Sequence, residues 1–201
     1  MGDRVMMINN VRLYVFVVFC VLFLSSCCCE CDEDEETKKY YQIGDIGPAG
    51  GYIFYNKGFH SDGWRYLEAA PARFDFNAEW GAYGSVVLGT YTGVGTGRQN
   101  TQVIIDKCSE LGELSKAAHW CDRIKINGFD DWFLPSKDEL YFMYQNLRQD
   151  GLGDFPVAWY WSSTQFDDSS TSAWGHYFST GIQGHSGSKN SLFRVRAVRA
   201  F

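Results

Sequence analysis

Imidazole can ligate metal or move protons near neutral pH, so His60, His119, His176 and His185 are the first residues to test for chemistry. None sits in an H-E-x-x-H pair and none has clustered carboxylates beside it, so no zinc site is expected. Asp130, Asp131, Asp150 and Asp154 could offer oxygens to calcium, but no alternating ligand loop surrounds them. Helix and turn caps suit them better. Ser162, Ser163 and Thr164 lack both a glycine elbow and an identifiable base. In VVLGTYTGVGTGRQNTQVII a glycine-rich loop precedes a helix, the order of a phosphate cradle. Gly93, Gly95 and Gly97 nevertheless give G-x-G-x-G, and no lysine followed by Ser or Thr completes a Walker loop. The expectation is a chain that is not an enzyme, with no catalytic residue, metal or cofactor.

What remains is recognition. GHYFSTGIQGHSGSKNS, Gly175 to Ser191, sets isolated aromatics among small hydrogen-bonding residues. Such a mixture suits a binding surface, because Tyr, Phe and Trp bury much area at low entropy cost while Ser, Asn and Gly adapt. The expected ligand-binding residues are Phe166, Asp167, Asp168, Ser169, Trp174, Gly175, His176, Tyr177, Ser179, Ile182, His185, Ser186, Ser188, Asn190, Ser191 and Phe193, with His176 and Tyr177 central. Tyr177 and Phe178 alternate across a strand, and Phe178 is expected inward.

The elements that must position this segment can be read from periodicity. GGYIFYNKG and GWRYLEAAP predict a hairpin, and SVVLGTY is a candidate strand in an irregular, glycine-rich stretch. NTQVIIDKCSEL and SKAAHWCDRI predict two helices turning near Gly112. Ser136 and Glu139 form a capping-box pattern ahead of Leu140, Met143, Tyr144 and Leu147 at one-face helical spacing. AWYWSST, AWGHYF and FRVRAVRAF return to strands separated by polar loops, and the last should pair near the first strand. Strands, helices and strands again make an α+β domain with two to three helices and short, mostly antiparallel strands.

At 201 residues, with 17% aromatics and 21 glycines, the chain has room for one loop-rich domain and an appendage. Its net charge of −6 argues against nucleic acid as a partner. Arg4 and Arg12 precede the apolar run LYVFVVFCVLFL, followed by Ser25, Ser26 and Cys27. This arrangement resembles a bacterial lipobox, which implies a signal peptide over 1–26, lipidation of Cys27 and a membrane-anchored envelope or surface protein. An uncleaved signal anchor is the alternative, and Cys28 is a second cleavage position. Residues 27–39 read as an acidic tether before a domain over 40–201. Cys28, Cys29 and Cys31 in that tether lack zinc-site spacing. For an exported chain, Cys108 and Cys121 are expected to form a disulfide across the helix pair, with two buried free thiols as the alternative.

NGFDDWFLPSKDEL, WYWSST and FRVRAVRAF, with IGPAGGYIFY and NTQVII, resemble the Lcl C-terminal-domain-like family of exported bacterial lipoproteins and collagen-like adhesins. The resemblance implies a C-type-lectin-like fold of the formylglycine-generating-enzyme type. It casts Trp132, Phe133 and Leu134 as core and Pro135 and Ser136 as a helix start. The enzyme branch of that fold needs late cysteines, whereas none follows Cys121, and the calcium-lectin signatures Glu-Pro-Asn and Trp-Asn-Asp are missing. A narrower resemblance is to proteins diversified by retroelements that mutate adenines. It implies a fixed frame of Trp161, Trp174, Gln183 and Lys189 around variable positions that include Ser170, Thr180 and Leu192. The resulting expectation is a lipid-anchored, adhesin-like protein with an external protein or glycan ligand. A sulfatase-modifying-factor-like exported enzyme and a structural envelope lipoprotein are the alternatives.

Overall fold

In the computed structural model, which describes residues 39–201, Tyr52–Ser61 (β1) and Trp64–Ala69 (β2) form the predicted hairpin. Its turn is Asp62-Gly63, with φ of 53° and 80°, the left-handed pair that a two-residue hairpin demands. Phe76–Ala78 (β3) follows, and then the helices Gly97–Glu110 (α1), Ala117–Arg123 (α2) and Lys137–Met143 (α3). The last runs on into a π-helical turn over Tyr144–Arg148. Trp159–Gln165 (β4), Ser172–Tyr177 (β5), Ile182–Ser188 (β6), Phe193–Val195 (β7) and Val198–Ala200 (β8) complete the chain.

The strands form two sheets, β1-β2-β8 and β3-β7-β4-β5-β6. Pairing is antiparallel apart from a short parallel contact of β4 with β7. Arg196 and Ala197 carry the chain from one sheet to the other, so the last strand lies beside β2 and not beside β1. Together these elements make an α+β domain.

Alternation along β4 divides the core. Trp161 joins Trp80, Ile104, Leu134 and Val195 in one buried cluster, while Tyr160 joins Phe54, Met143, Leu147 and Phe178 in another. The larger sheet is therefore packed on both faces, against α1 and α2 on one side and α3 on the other. Trp132, Phe133 and Leu134 are all buried, and Phe133 also exchanges both backbone bonds with Val198, at 2.8 and 2.9 Å.

Two expectations need correction. SVVLGTY is loop, because its polar backbone groups go to side chains and not to a ladder: Val87 N–H donates to Gln165 Oε1 (2.6 Å) and Tyr91 N–H to Asn100 Oδ1 (2.8 Å). Cys108 and Cys121 are free thiols. Cys108 Sγ is turned against Gly81, where an added Cβ would lie 2.6 Å from it, and Cys121 is sealed in the core. Burial pushes the Cys108 thiol up to about 12, with Glu113 adding to the rise, and burial pushes Cys121 up as well. Burial of this kind favours the neutral thiol over the reactive thiolate. The proposed signal peptide, Cys27 and the tether cysteines lie outside the described residues.

Candidate functional site

The frame of the C-terminal segment is built from buried polar side chains. Lys189 is fully buried, and its ammonium donates to Ser85 O and Gln165 Oε1, each at 2.7 Å, while lying 4.8 Å from the Trp80 ring centre. Burial pushes its pKa down to about 8, the expected response of an ammonium taken out of water. Gln165 Nε2 donates to Asp167 O (2.8 Å), and Lys189 N–H to Thr171 O (2.8 Å). One lysine and one glutamine thus tie together the loops around 85, 167 and 189. Gln183 Nε2 fixes β6 to Lys137 O at 2.9 Å, and Trp161 Nε1 donates to Ala78 O at 3.0 Å.

The expected binding residues separate into the two ends of the β5–β6 hairpin, an aromatic face between them and a buried pair. Phe166, Asp167, Asp168 and Ser169 form the β4–β5 turn, where Ser169 Oγ accepts from Thr171 N–H (3.2 Å) and Ser172 N–H (3.0 Å). Phe166 meets the edge of Trp174, with ring centres 5.1 Å apart. Ser188, Asn190 and Ser191 turn at the same end, closed by a 2.6 Å bond from Ser188 Oγ to Asn190 Oδ1. Tyr177, Ser179 and Ile182 lie at the opposite end of the β5–β6 hairpin, with Ile182 exposed. Between the ends runs an aromatic strip, half-buried at Trp159, Tyr177 and Phe193 and backed by buried Trp161. Trp159 meets Tyr177 at 5.3 Å and Phe193 at 5.8 Å, and Phe193 stacks on Trp161 at 4.3 Å. The side chains of His185 and Ser186 lie outside the described ones.

Gly175 is buried below the strip, where an added Cβ would sit 3.1 Å from Tyr160 O. His176, expected at the centre of the surface, is fully buried on the other face of the sheet. Its ring lies 4.7 Å from Tyr144 and 5.2 Å from Phe178, as period-two alternation requires once Phe178 faces inward. Neither ring nitrogen makes a hydrogen bond of normal geometry. Burial pushes its pKa down to about 4, opposed only by a polar contact with the Gly181 backbone. Exposed apolar residues of the loop 83–91, Tyr83, Leu88 and Tyr91, were not anticipated as surface. The available signal was the glycine-rich, aperiodic setting of SVVLGTY.

Residues that could do other chemistry are occupied. Ser162 Oγ donates to Trp174 O (2.9 Å), Ser163 Oγ accepts from Asn100 Nδ2 (3.1 Å) and Thr164 Oγ1 donates to Tyr91 O (2.9 Å). Glu139 accepts from Ser136 N–H (2.7 Å) and Gly95 N–H (2.8 Å), and burial raises its carboxyl to about 7 against those bonds. Among the described residues no group of three or more His, Cys, Asp or Glu side chains could hold a metal ion.

The fold and this arrangement define an α+β domain that holds a loop-bearing sheet end in a buried polar frame. The chain belongs to the Lcl C-terminal domain family, whose model matches residues 89–199, more than half of the chain. Its fold is similar to that of a fimbrial protein from Bacteroides ovatus ATCC 8483, with a TM-score of 0.50 and 15% identity over 68% of this chain. The likeness spans 36% of the length of that structure. No curated protein matches the chain.

Proposed function

We propose that this chain is an adhesin-like binding protein of the cell surface, lipid-anchored through Cys27, with an external protein or glycan ligand and no enzymatic activity. One observation carries the reading. In the segment 161–193 the expected frame residues Trp161 and Lys189 are buried, with Gln165 and Gly187 beside them, and Trp174 and Gln183 are half-buried, while Asp167, Asp168, Ile182, Asn190 and Leu192 are exposed. Exposed positions on a fixed frame can change without cost to the fold, which suits recognition. The family membership and the likeness to a fimbrial protein are in keeping with a surface role.

The finer reading is a C-type-lectin-like scaffold of the formylglycine-generating-enzyme type whose exposed positions are diversified by a retroelement. A near-identical copy of the 3′ coding segment with asparagine codons at these positions, beside a reverse transcriptase gene, supports diversification. Its absence removes that part. The binding reading is tested by screening the full chain against protein and glycan arrays, beside a variant carrying Tyr177→Ala, Ile182→Ala, Asn190→Ala and Leu192→Ala. A variant that folds and loses binding about tenfold or more supports the site. A folded variant with unchanged binding moves the site elsewhere.

A further inference from the structure

The loop 83–91 holds apolar side chains in water at a fixed place. Leu88 is 74% exposed and Val86 38%. Between this loop and α1 lies a cavity of about 330 Å³, with Val86, Leu88 and Val103 as apolar wall and Asp106, Lys107 and Glu110 along its rim. The wall is pinned on both sides: Gly84 N–H donates to Ser170 O (2.9 Å), Lys189 Nζ to Ser85 O (2.7 Å) and Val87 N–H to Gln165 Oε1 (2.6 Å). Exposure that buried polar groups hold in place is preorganised for a partner, since little loop entropy remains to be lost on binding.

Charge selects the partner. Lys107 is paired with Glu110 at 2.9 Å, while Asp106 accepts from Gln102 Nε2 at 2.8 Å and has no cationic partner among the described residues. Asp167 and Asp168 are exposed on the adjoining turn, joined to Val87 through the Gln165 side chain. We infer that this groove docks a protein segment that inserts one aliphatic side chain between Leu88 and Val103 and sets flanking Lys or Arg residues against Asp106, Asp167 and Asp168. Among the described residues no aromatic ring lines the groove to stack on a sugar, and the acidic surround disfavours anionic polysaccharide and anionic lipid. The apolar part of the groove lies off the aromatic strip, and Asp167 and Asp168 are the residues it shares with the proposed C-terminal binding surface.

The test is a methyl NMR titration of the full chain with the peptide Lys-Lys-Leu-Lys-Lys, its Ser-for-Leu and Glu-for-Lys counterparts, and heparin. The basic peptide is expected to move the Val86, Leu88 and Val103 signals, with affinity that falls as salt rises. Ser in place of its Leu, or Leu88→Ser in the protein, should weaken binding about tenfold, and Asp106→Lys by at least about threefold. Tyr177→Ala should leave the titration unchanged. The inference is overturned if the acidic peptide binds equally, if heparin moves these signals instead, if they do not move, or if Leu88→Ser has no effect. Loss of binding on Tyr177→Ala also overturns it, by assigning the peptide to the aromatic strip.

Discussion

His176 places two ring nitrogens without normal hydrogen bonds among Tyr141, Tyr144 and Phe178, and burial pushes its pKa from 6.5 down to about 4. The folded state therefore prefers the neutral ring. Above pH 6.5 the ring is neutral folded or unfolded, and its contribution to stability is intact. As pH falls toward 4 the unfolded chain takes up the proton first, and stability drops by at most about 3 kcal/mol. His176→Phe keeps the ring packing and removes the titration. Urea unfolding at pH 7 and pH 4.5 should show the variant no less stable at pH 7 and less acid-sensitive than the parent. Some sensitivity stays, because burial also lowers the pKa of His119. Parallel loss in both proteins would show that His176 does not titrate in this window. The burial was legible in HYF: the alternation that turns Phe178 inward places His176, two residues earlier, on the same side.

At the scale of elements, the start of α3 and the buried face it shares with the π-helical turn were legible in the sequence, though the change to π geometry was not. Ser136 Oγ accepts from Glu139 N–H, Glu139 returns a bond to Ser136 N–H, and Leu140, Met143, Tyr144 and Leu147 are buried at the spacing expected of them. β6 was not legible. IQGHSGS has one β-branched residue and no aromatic, and it is a strand because β5 pairs with it and two rings, from β4 and β7, pack against it. An added Cβ at Gly187 would overlap Trp161 and sit 2.7 Å from Phe193. The glycine stands where tertiary packing needs empty space, which no local pattern records. Gly187→Ala should therefore cost about 1–3 kcal/mol in urea unfolding and shift tryptophan fluorescence, while Ser188→Ala changes neither appreciably. A neutral Gly187→Ala would mean that β6 can move off the rings without loss.

For the whole molecule, charged side chains at the chain's end join what the sheets leave apart. Arg196 pairs with buried Asp75, which also accepts from Tyr160 Oη at 2.9 Å. Arg199 forks onto Asp131 (2.8 and 3.2 Å), reaches Glu68 Oε2 at 3.3 Å and lies 4.0 Å from the Phe129 ring centre. Glu68 is fully buried and accepts from Ala49 N–H (3.1 Å) and Gly51 N–H (2.8 Å), so this cluster ties the loop before β1 to the last strand. Removing one partner of a buried pair leaves the other charge without compensation. Arg199→Met should cost about 3–5 kcal/mol, because Glu68 stays buried with two amide bonds but loses its cation. In Glu68→Gln with Arg199→Met no unpaired buried charge remains, so the double variant should be destabilised by less than the two single losses added together. A urea-unfolding cycle over the four proteins measures that coupling. Additive losses, within about 0.5 kcal/mol, would show that the backbone ladder between β2 and β8 closes the domain without help from the ion pair.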